Sequence, residues 1–126
     1  MSQPPTVLIV DDDPSHLKLY SWIVERAGFK SAIALVGSTK VAYPETRDID
    51  IIALDYRLAS TLNAPEIAVE LNQLYPGVPI IVLSELTWMP AAMAPFAAGF
   101  ACKGEPQQLV ELIAKLTGHP VAPRQS

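Results

Sequence analysis

Short apolar runs alternate along the chain with longer stretches at helical spacing. Val7–Val10 is apolar throughout and rich in β-branched residues, the pattern of a strand buried on both faces. Asp13 then has the character of a helix N-cap and Pro14 that of a first helical position. Leu17, Tyr20, Val24 and Ala27 recur at helical spacing, up to Gly28. Lys30–Leu35 reads as a second strand, Gly37–Arg47 as a short second helix despite Pro44, and Asp50–Leu54 as a third strand. From Asn63 or Ala64 to Leu74 the spacing predicts a helix with Ile67, Leu71 and Leu74 on one face, stopped by Tyr75-Pro76-Gly77. Pro79–Leu83 is a fourth, strongly apolar strand. Met89–Ala98 reads as a short helix that Pro95 should break or kink. Phe100–Cys102 is a short fifth strand. A last helix starts at Pro106, carries Leu109, Leu112, Ile113 and Leu116, and ends at Gly118.

Five strand–helix units in succession imply a parallel sheet covered on both faces, joined by right-handed crossovers. The expectation is a single α/β domain over residues 1–126. Its core spans about 6–117, followed by a loose tail from 118 to 126 that contains Pro120 and Pro123. In open sheets of this kind the functional crevice lies beyond the carboxyl ends of the strands.

Composition narrows the classes. A length of 126 residues, 50% hydrophobic and 17% charged, fits one globular domain with a real core. A net charge of −4 argues against direct binding of nucleic acid. Cys102 is the only cysteine, so no intrachain disulfide forms, and a reducing, cytoplasmic setting is expected. Met1-Ser2-Gln3-Pro4-Pro5 lacks the basic start and apolar core of a signal peptide. From Leu86 to Cys102 no residue is charged, but Pro90, Pro95 and Gly99 interrupt the stretch, and it is shorter than the roughly 20 apolar residues a spanning helix needs. No membrane association is expected.

Chemistry gathers at the strand ends. Asp11, Asp12, Asp55, Ser84 and Lys103 each sit just after a predicted strand, so the topology converges three carboxylates, a hydroxyl and an ammonium on one edge. Clustered carboxylates are costly unless a cation neutralises them. Mg²⁺ prefers oxygen ligands and is held by a few carboxylates. A carboxylate also serves as a nucleophile toward a phosphoryl group, with a lysine opposing the developing charge and a serine hydroxyl donating to a phosphoryl oxygen. Asp13 is read as a helix cap. His16 falls on the exposed part of the first helix near the site mouth, and Trp22 at a helix edge. Cys102 is read as a small buried hydrophobe.

These residues, in this order and on these elements, resemble the receiver domain of two-component response regulators. Val10-Asp11-Asp12-Asp13-Pro14 is similar to the family's acidic pair after the first strand, and Leu54-Asp55 to its phospho-acceptor. Ser84 after Ile80-Ile81-Val82-Leu83 matches the hydroxyl position, and Lys103 the lysine after the fifth strand. The resemblance runs from about Val7 to Leu116. It implies a flavodoxin-like doubly wound sheet of order 2-1-3-4-5. It also implies that Asp55 accepts a phosphoryl group from a histidine kinase or a histidine phosphotransfer protein. Asp11, Asp12 and the main-chain carbonyl of Arg57 would join Asp55 in holding Mg²⁺ (or Mn²⁺). Ser84 would contact the phosphoryl group and move on activation, Lys103 would pair with it, and Phe100 would be the aromatic switch. No enzymatic activity is implied beyond self-catalysed acceptance and loss of the phosphoryl group.

The chain also departs from the family pattern. Gly104 stands where a proline usually follows the lysine, and Ala59 where a proline follows the phospho-acceptor. The turn after it is altered near Leu62-Asn63-Ala64. The span from Ser84 to Lys103 is shortened and proline-broken, so the fourth helix is expected to be short or distorted. Its uncharged sequence would bring Trp88, Met89, Met93 and Phe96 to an effector or a second copy, through the face made by the fourth helix, fifth strand and last helix. Two alternatives remain open at this point: a phosphorylation-independent interaction module, and a haloacid-dehalogenase-type phosphatase that uses Asp11 of Asp11-x-Asp13. The second would need a further acidic pair after Lys103, where only Glu105 and Glu111 follow, and it would leave Asp55 without a role. No output domain is expected within the few residues after the last helix, and the sequence would then be either a stand-alone receiver or a piece of a longer protein.

Overall fold

The computed structural model describes residues 3–57 and 62–122. Its strands are β1 (Thr6–Asp11), β2 (Lys30–Val36), β3 (Val41–Ala42), β4 (Ile51–Asp55), β5 (Ile80–Ser84) and β6 (Ala97–Cys102). Its helices are α1 (Pro14–Arg26), α2 (Ala64–Leu74) and α3 (Pro106–Thr117), with one 3-10 turn at Ala91–Met93. The strands form one sheet in the order β3-β2-β1-β4-β5-β6. All neighbours are parallel except β2 and β3. Without β3 this is the doubly wound order expected from the sequence.

Local chemistry explains the boundaries. The Asp13 side chain accepts from Ser15 N–H at 2.8 Å and Pro14 opens α1. Asn63 does the same for Glu66 N–H at 3.0 Å, with Pro65 in the first turn of α2. Gly118 takes a left-handed conformation that closes α3, where a Cβ would be strained. Apolar residues fill both faces of the sheet. Val7, Ile9, Leu17, Val24, Leu109 and Ile113 pack under α1 and α3. Leu8, Val10, Ile52, Leu54, Ile67 and Leu71 pack under α2.

Three expectations are corrected. Residues 37–47 hold no helix. Gly37 N–H donates to Lys40 O at 2.8 Å, and the chain turns back so that Val36 and Leu35 pair with Val41 and Ala42. β-branched Val41 suits this edge strand, and Pro44 cannot serve a helix interior. The predicted helix at Met89–Ala98 shrinks to the single turn Ala91–Met93 between Pro90 and Pro95, and β6 starts earlier, at Ala97. The segment 119–122, expected to be loose, is pinned. Ala122 N–H donates to Ala27 O at 2.7 Å, and the ring of His119 lies 5.6 Å from that of Phe29. Ala59 and residues 123–126 lie outside the described residues.

Candidate functional site

The register of the sheet brings the polar strand ends together. Asp11 ends β1 and Asp55 ends β4, its direct neighbour. Ser84 ends β5, the next strand. Lys103 N–H donates to Ser84 O at 2.7 Å, so the ladder between β5 and β6 delivers the lysine one residue past its strand. Carboxylate oxygens of Asp11, Asp12 and Asp55 all lie within 4.8 Å of one another. Lys103 Nζ is 2.8 Å from Asp55 Oδ1.

Asp11 and Asp55 are each only 1% exposed. Their hydrogen bonds are mostly local: Asp11 Oδ1 accepts from Asp13 N–H at 3.1 Å, and Asp55 Oδ1 from Arg57 N–H at 3.2 Å. Burial pushes the Asp11 carboxyl up to about 6, and the charge of Asp55 pushes the same way. The Asp13 N–H and Lys103 only partly offset this. Burial pulls the Lys103 ammonium down, but its hydrogen bond to Asp55 and the charges of Asp55 and Asp11 outweigh that and hold it above its usual value. Three carboxylates less one ammonium leave two negative charges to neutralise. An all-oxygen set of this kind suits a hard divalent cation such as Mg²⁺ or Mn²⁺.

Ser84 is fully buried, and its Oγ accepts from Leu86 N–H at 3.0 Å, which leaves its own proton to donate. Phe100 lies two residues inside the end of β6, partly buried against the α2-side core. Met89 and Phe96 are also partly buried there, and Met93 is 0% exposed. Met93 is therefore a core residue and not the surface contact expected of it: with the helix reduced to one turn, its side chain fills the space beneath. Trp88 alone of that set is strongly exposed, at 63%.

The structure adds three features that the sequence pattern left unassigned. His16 Nδ1 lies 3.3 Å from Asp11 Oδ2. The signal was its place in the first turn of α1, one turn after the acidic run. The Arg57 guanidinium lies 3.8 Å from Glu85, linking the loops that follow Asp55 and Ser84. Tyr20, taken as a plain core position, has a phenol that feels the charges of Lys103, Asp55 and Asp11, and burial raises its pKa.

The chain is similar to known proteins in sequence and in fold. Residues 7–114 match the sequence profile of the response regulator receiver domain. The transcriptional regulatory protein GlrR of Escherichia coli (strain K12) is 27% identical over 92 residues, covering 73% of this chain and 20% of that protein. The probable transcriptional regulatory protein TcrX of Mycobacterium tuberculosis is 28% identical over 97 residues, covering 77% of this chain and 41% of that one. The chain thus spans well under half the length of these curated relatives. The solved structure of the chemotaxis response regulator CheY4 of Vibrio cholerae superposes with a TM-score of 0.72 at 21% identity, over 90% of this chain and 98% of that one. A CheY-like receiver domain protein from Methanospirillum hungatei gives 0.71 at 21% identity, over 92% and 96%. At these identities the structural likeness speaks for the fold. No helix among the described residues is long and apolar enough to cross a membrane.

Proposed function

The chain belongs to the response regulator receiver domain family of two-component signalling, and from that premise we propose that it accepts a phosphoryl group on Asp55 in a divalent-metal-dependent reaction and thereby changes its affinity for a partner. The observation that carries this reading is the Lys103–Asp55 contact within the three-carboxylate cluster. It singles out Asp55 as the carboxylate with an ammonium already in place.

In this reading an Asp55 oxygen attacks the phosphorus of a phosphohistidine donor. The new bond is Asp55 O–P, the bond that breaks is P–N, and the electron pair leaves with the donor imidazole. Asp11, Asp12, Asp55 and the Arg57 carbonyl would hold the metal. Mg²⁺ or Mn²⁺, when bound there, supplies neutralisation of the phosphoryl oxygens. Lys103 opposes the charge on one phosphoryl oxygen, and the Ser84 hydroxyl donates to another. Ser84 Oγ gives its own proton to this contact while it still accepts from Leu86 N–H, so a shift of the hydroxyl toward the phosphoryl group pulls on that backbone. That couples phosphorylation to the segment carrying Trp88 and, across β5, to Phe100.

The phosphodonor is a histidine kinase or histidine phosphotransfer protein, and the setting is cytoplasmic. The output side is the face around the 3-10 turn, β6 and α3, open to an effector or a second copy. The phosphatase reading with Asp11 as nucleophile is disfavoured by the Lys103 contact, which goes to Asp55. The test is beryllofluoride, a phosphoryl mimic, followed by fluorine NMR. A bound signal that requires Mg²⁺ and disappears in Asp55→Asn supports the reading. A signal that survives Asp55→Asn and disappears in Asp11→Asn reverses it in favour of the phosphatase.

A further inference from the structure

We propose that Gln108 is a positioning residue for Lys103: its side-chain carbonyl anchors the end of β6 and so fixes where the lysine leaves the sheet. The inference rests on the reading above, in which Lys103 meets a phosphoryl group on Asp55. β6 is an edge strand. Lys103 N–H is directed inward, to Ser84 O at 2.7 Å, so the N–H one residue earlier, on Cys102, is directed off the open edge. Gln108 Oε1 accepts from that N–H at 3.0 Å.

The sequence explains why this glutamine reaches so far. Pro106 opens α3, and Gln108 is its third residue. A glutamine at that position commonly bends back to the N–H of the cap residue. Here the cap is Glu105, whose N–H is already taken by Cys102 O at 3.2 Å and whose side chain makes no cap bond. The Gln108 carbonyl therefore reaches past it to the Cys102 N–H. Both polar groups of the Cys102 backbone are then tied to the start of α3, and Lys103 and Gly104 form the loop they close.

Packing does little to hold that loop from outside. Gly104 has a φ of +85°, and a Cβ on it would meet nothing within 4 Å. Hydrogen bonds set its course instead. The Cys102 thiol extends the anchor to the loop after β5: Sγ–H donates to Leu86 O at 3.4 Å, and Leu86 N–H bonds Ser84 Oγ at 3.0 Å. A lysine side chain is long and flexible, so the position of its backbone decides which oxygen Nζ reaches. Released at its base, Lys103 spends less time against Asp55. A cation in the acidic cluster is then repelled less, and a phosphoryl group is attracted less. The two effects have opposite signs, which a general loosening of the fold does not produce.

The test is calorimetric titration of the full chain with Mg²⁺, and fluorine-NMR titration with beryllofluoride in saturating Mg²⁺, on wild type, Gln108→Leu and Gln108→Glu. Leucine is close in size and lacks the acceptor, and glutamate keeps it. Gln108→Leu should weaken beryllofluoride about fivefold, the equilibrium worth of one hydrogen bond, while Mg²⁺ alone binds more tightly than to wild type. Gln108→Glu should return beryllofluoride affinity to within about twofold of wild type. Anything other than this opposite pair of changes in Gln108→Leu, or a Gln108→Glu no better than Gln108→Leu, overturns the proposal while leaving the phosphoryl-acceptor reading standing. Failure of wild type to bind beryllofluoride in Mg²⁺ removes that reading, and the proposal with it.

Discussion

Lys103 Nζ stands 2.8 Å from Asp55 Oδ1, and the two side chains are 12% and 2% exposed. A buried ion pair of this kind adds little over an apolar pair, but losing one partner is costly. Here the partner left behind would be a carboxylate beside two others. The pair therefore holds the acidic site together before any metal or phosphoryl group arrives.

Lys103→Ala should cost metal-free protein about 3 kcal/mol, because it strands a buried carboxylate. The same change should tighten Mg²⁺ binding by at least about tenfold, since a unit charge about 6 Å from a dication at an effective dielectric near 20 repels it by about 5 kcal/mol before relaxation and ionic screening reduce that. Urea denaturation in EDTA and calorimetric Mg²⁺ titration measure the two effects. Their opposite signs separate the electrostatic account from simple misfolding.

The Asp11 carboxyl predicts an unusual pH dependence. In metal-free protein, burial first and the Asp55 charge second raise it from 3.8 to about 6. Between those values the native state holds a proton that the unfolded state has released. The contribution of Asp11 to stability is therefore most favourable below about pH 4, declines as pH rises to about 6, and is flat above that. Asp11→Asn should remove this decline and make the metal-free protein more stable than wild type at neutral pH. The difference between the two urea midpoints across that pH range, in EDTA, is the measurement.

Asp13 separates capping from metal binding. Its side chain bonds Ser15 N–H, and it is absent from the carboxylate cluster. Asp13→Ala should cost about 1 kcal/mol of stability and leave Mg²⁺ affinity within about twofold. A loss of tenfold or more in Mg²⁺ affinity would make Asp13 part of the site.

Met93 and Trp88 lie five positions apart and should behave oppositely. Met93→Ala removes a fully buried side chain and should cost about 2–5 kcal/mol. Trp88→Ala removes an exposed one and should change stability by less than about 0.5 kcal/mol. Trp88, four residues after Ser84, should also report activation, through a fluorescence change on adding Mg²⁺ and beryllofluoride that Ser84→Ala abolishes.

The buried strands were legible because an unbroken apolar run such as Ile80–Leu83 has few alternatives. Helix starts were legible where cap and proline coincide, as at Asp13-Pro14 and Asn63-Ala64-Pro65. The acidic site could be read because each of its residues directly follows a strand, and parallel pairing does the rest. The hairpin at Val41–Ala42 could not be read, because two edge residues carry no periodicity and the turn Gly37–Lys40 is chosen by tertiary contact with β2. Nor could the burial of Met93: a methionine in an uncharged stretch fits a surface patch as well as a core, and only the loss of the fourth helix decides between them. His16 beside Asp11 was missed for a further reason. Sequence spacing gives its turn of helix and not the direction of its ring.

The central claim is that Asp55 accepts a phosphoryl group with metal assistance. The direct measurement is intact-protein mass spectrometry after incubation with acetyl phosphate, with and without Mg²⁺, on wild type and Asp55→Asn. The account predicts a mass gain of one phosphoryl group in wild type that requires Mg²⁺, maps to Asp55 by peptide analysis after borohydride trapping, and is absent from Asp55→Asn. Equal incorporation in Asp55→Asn, or none in wild type that has been shown to bind Mg²⁺, would contradict it.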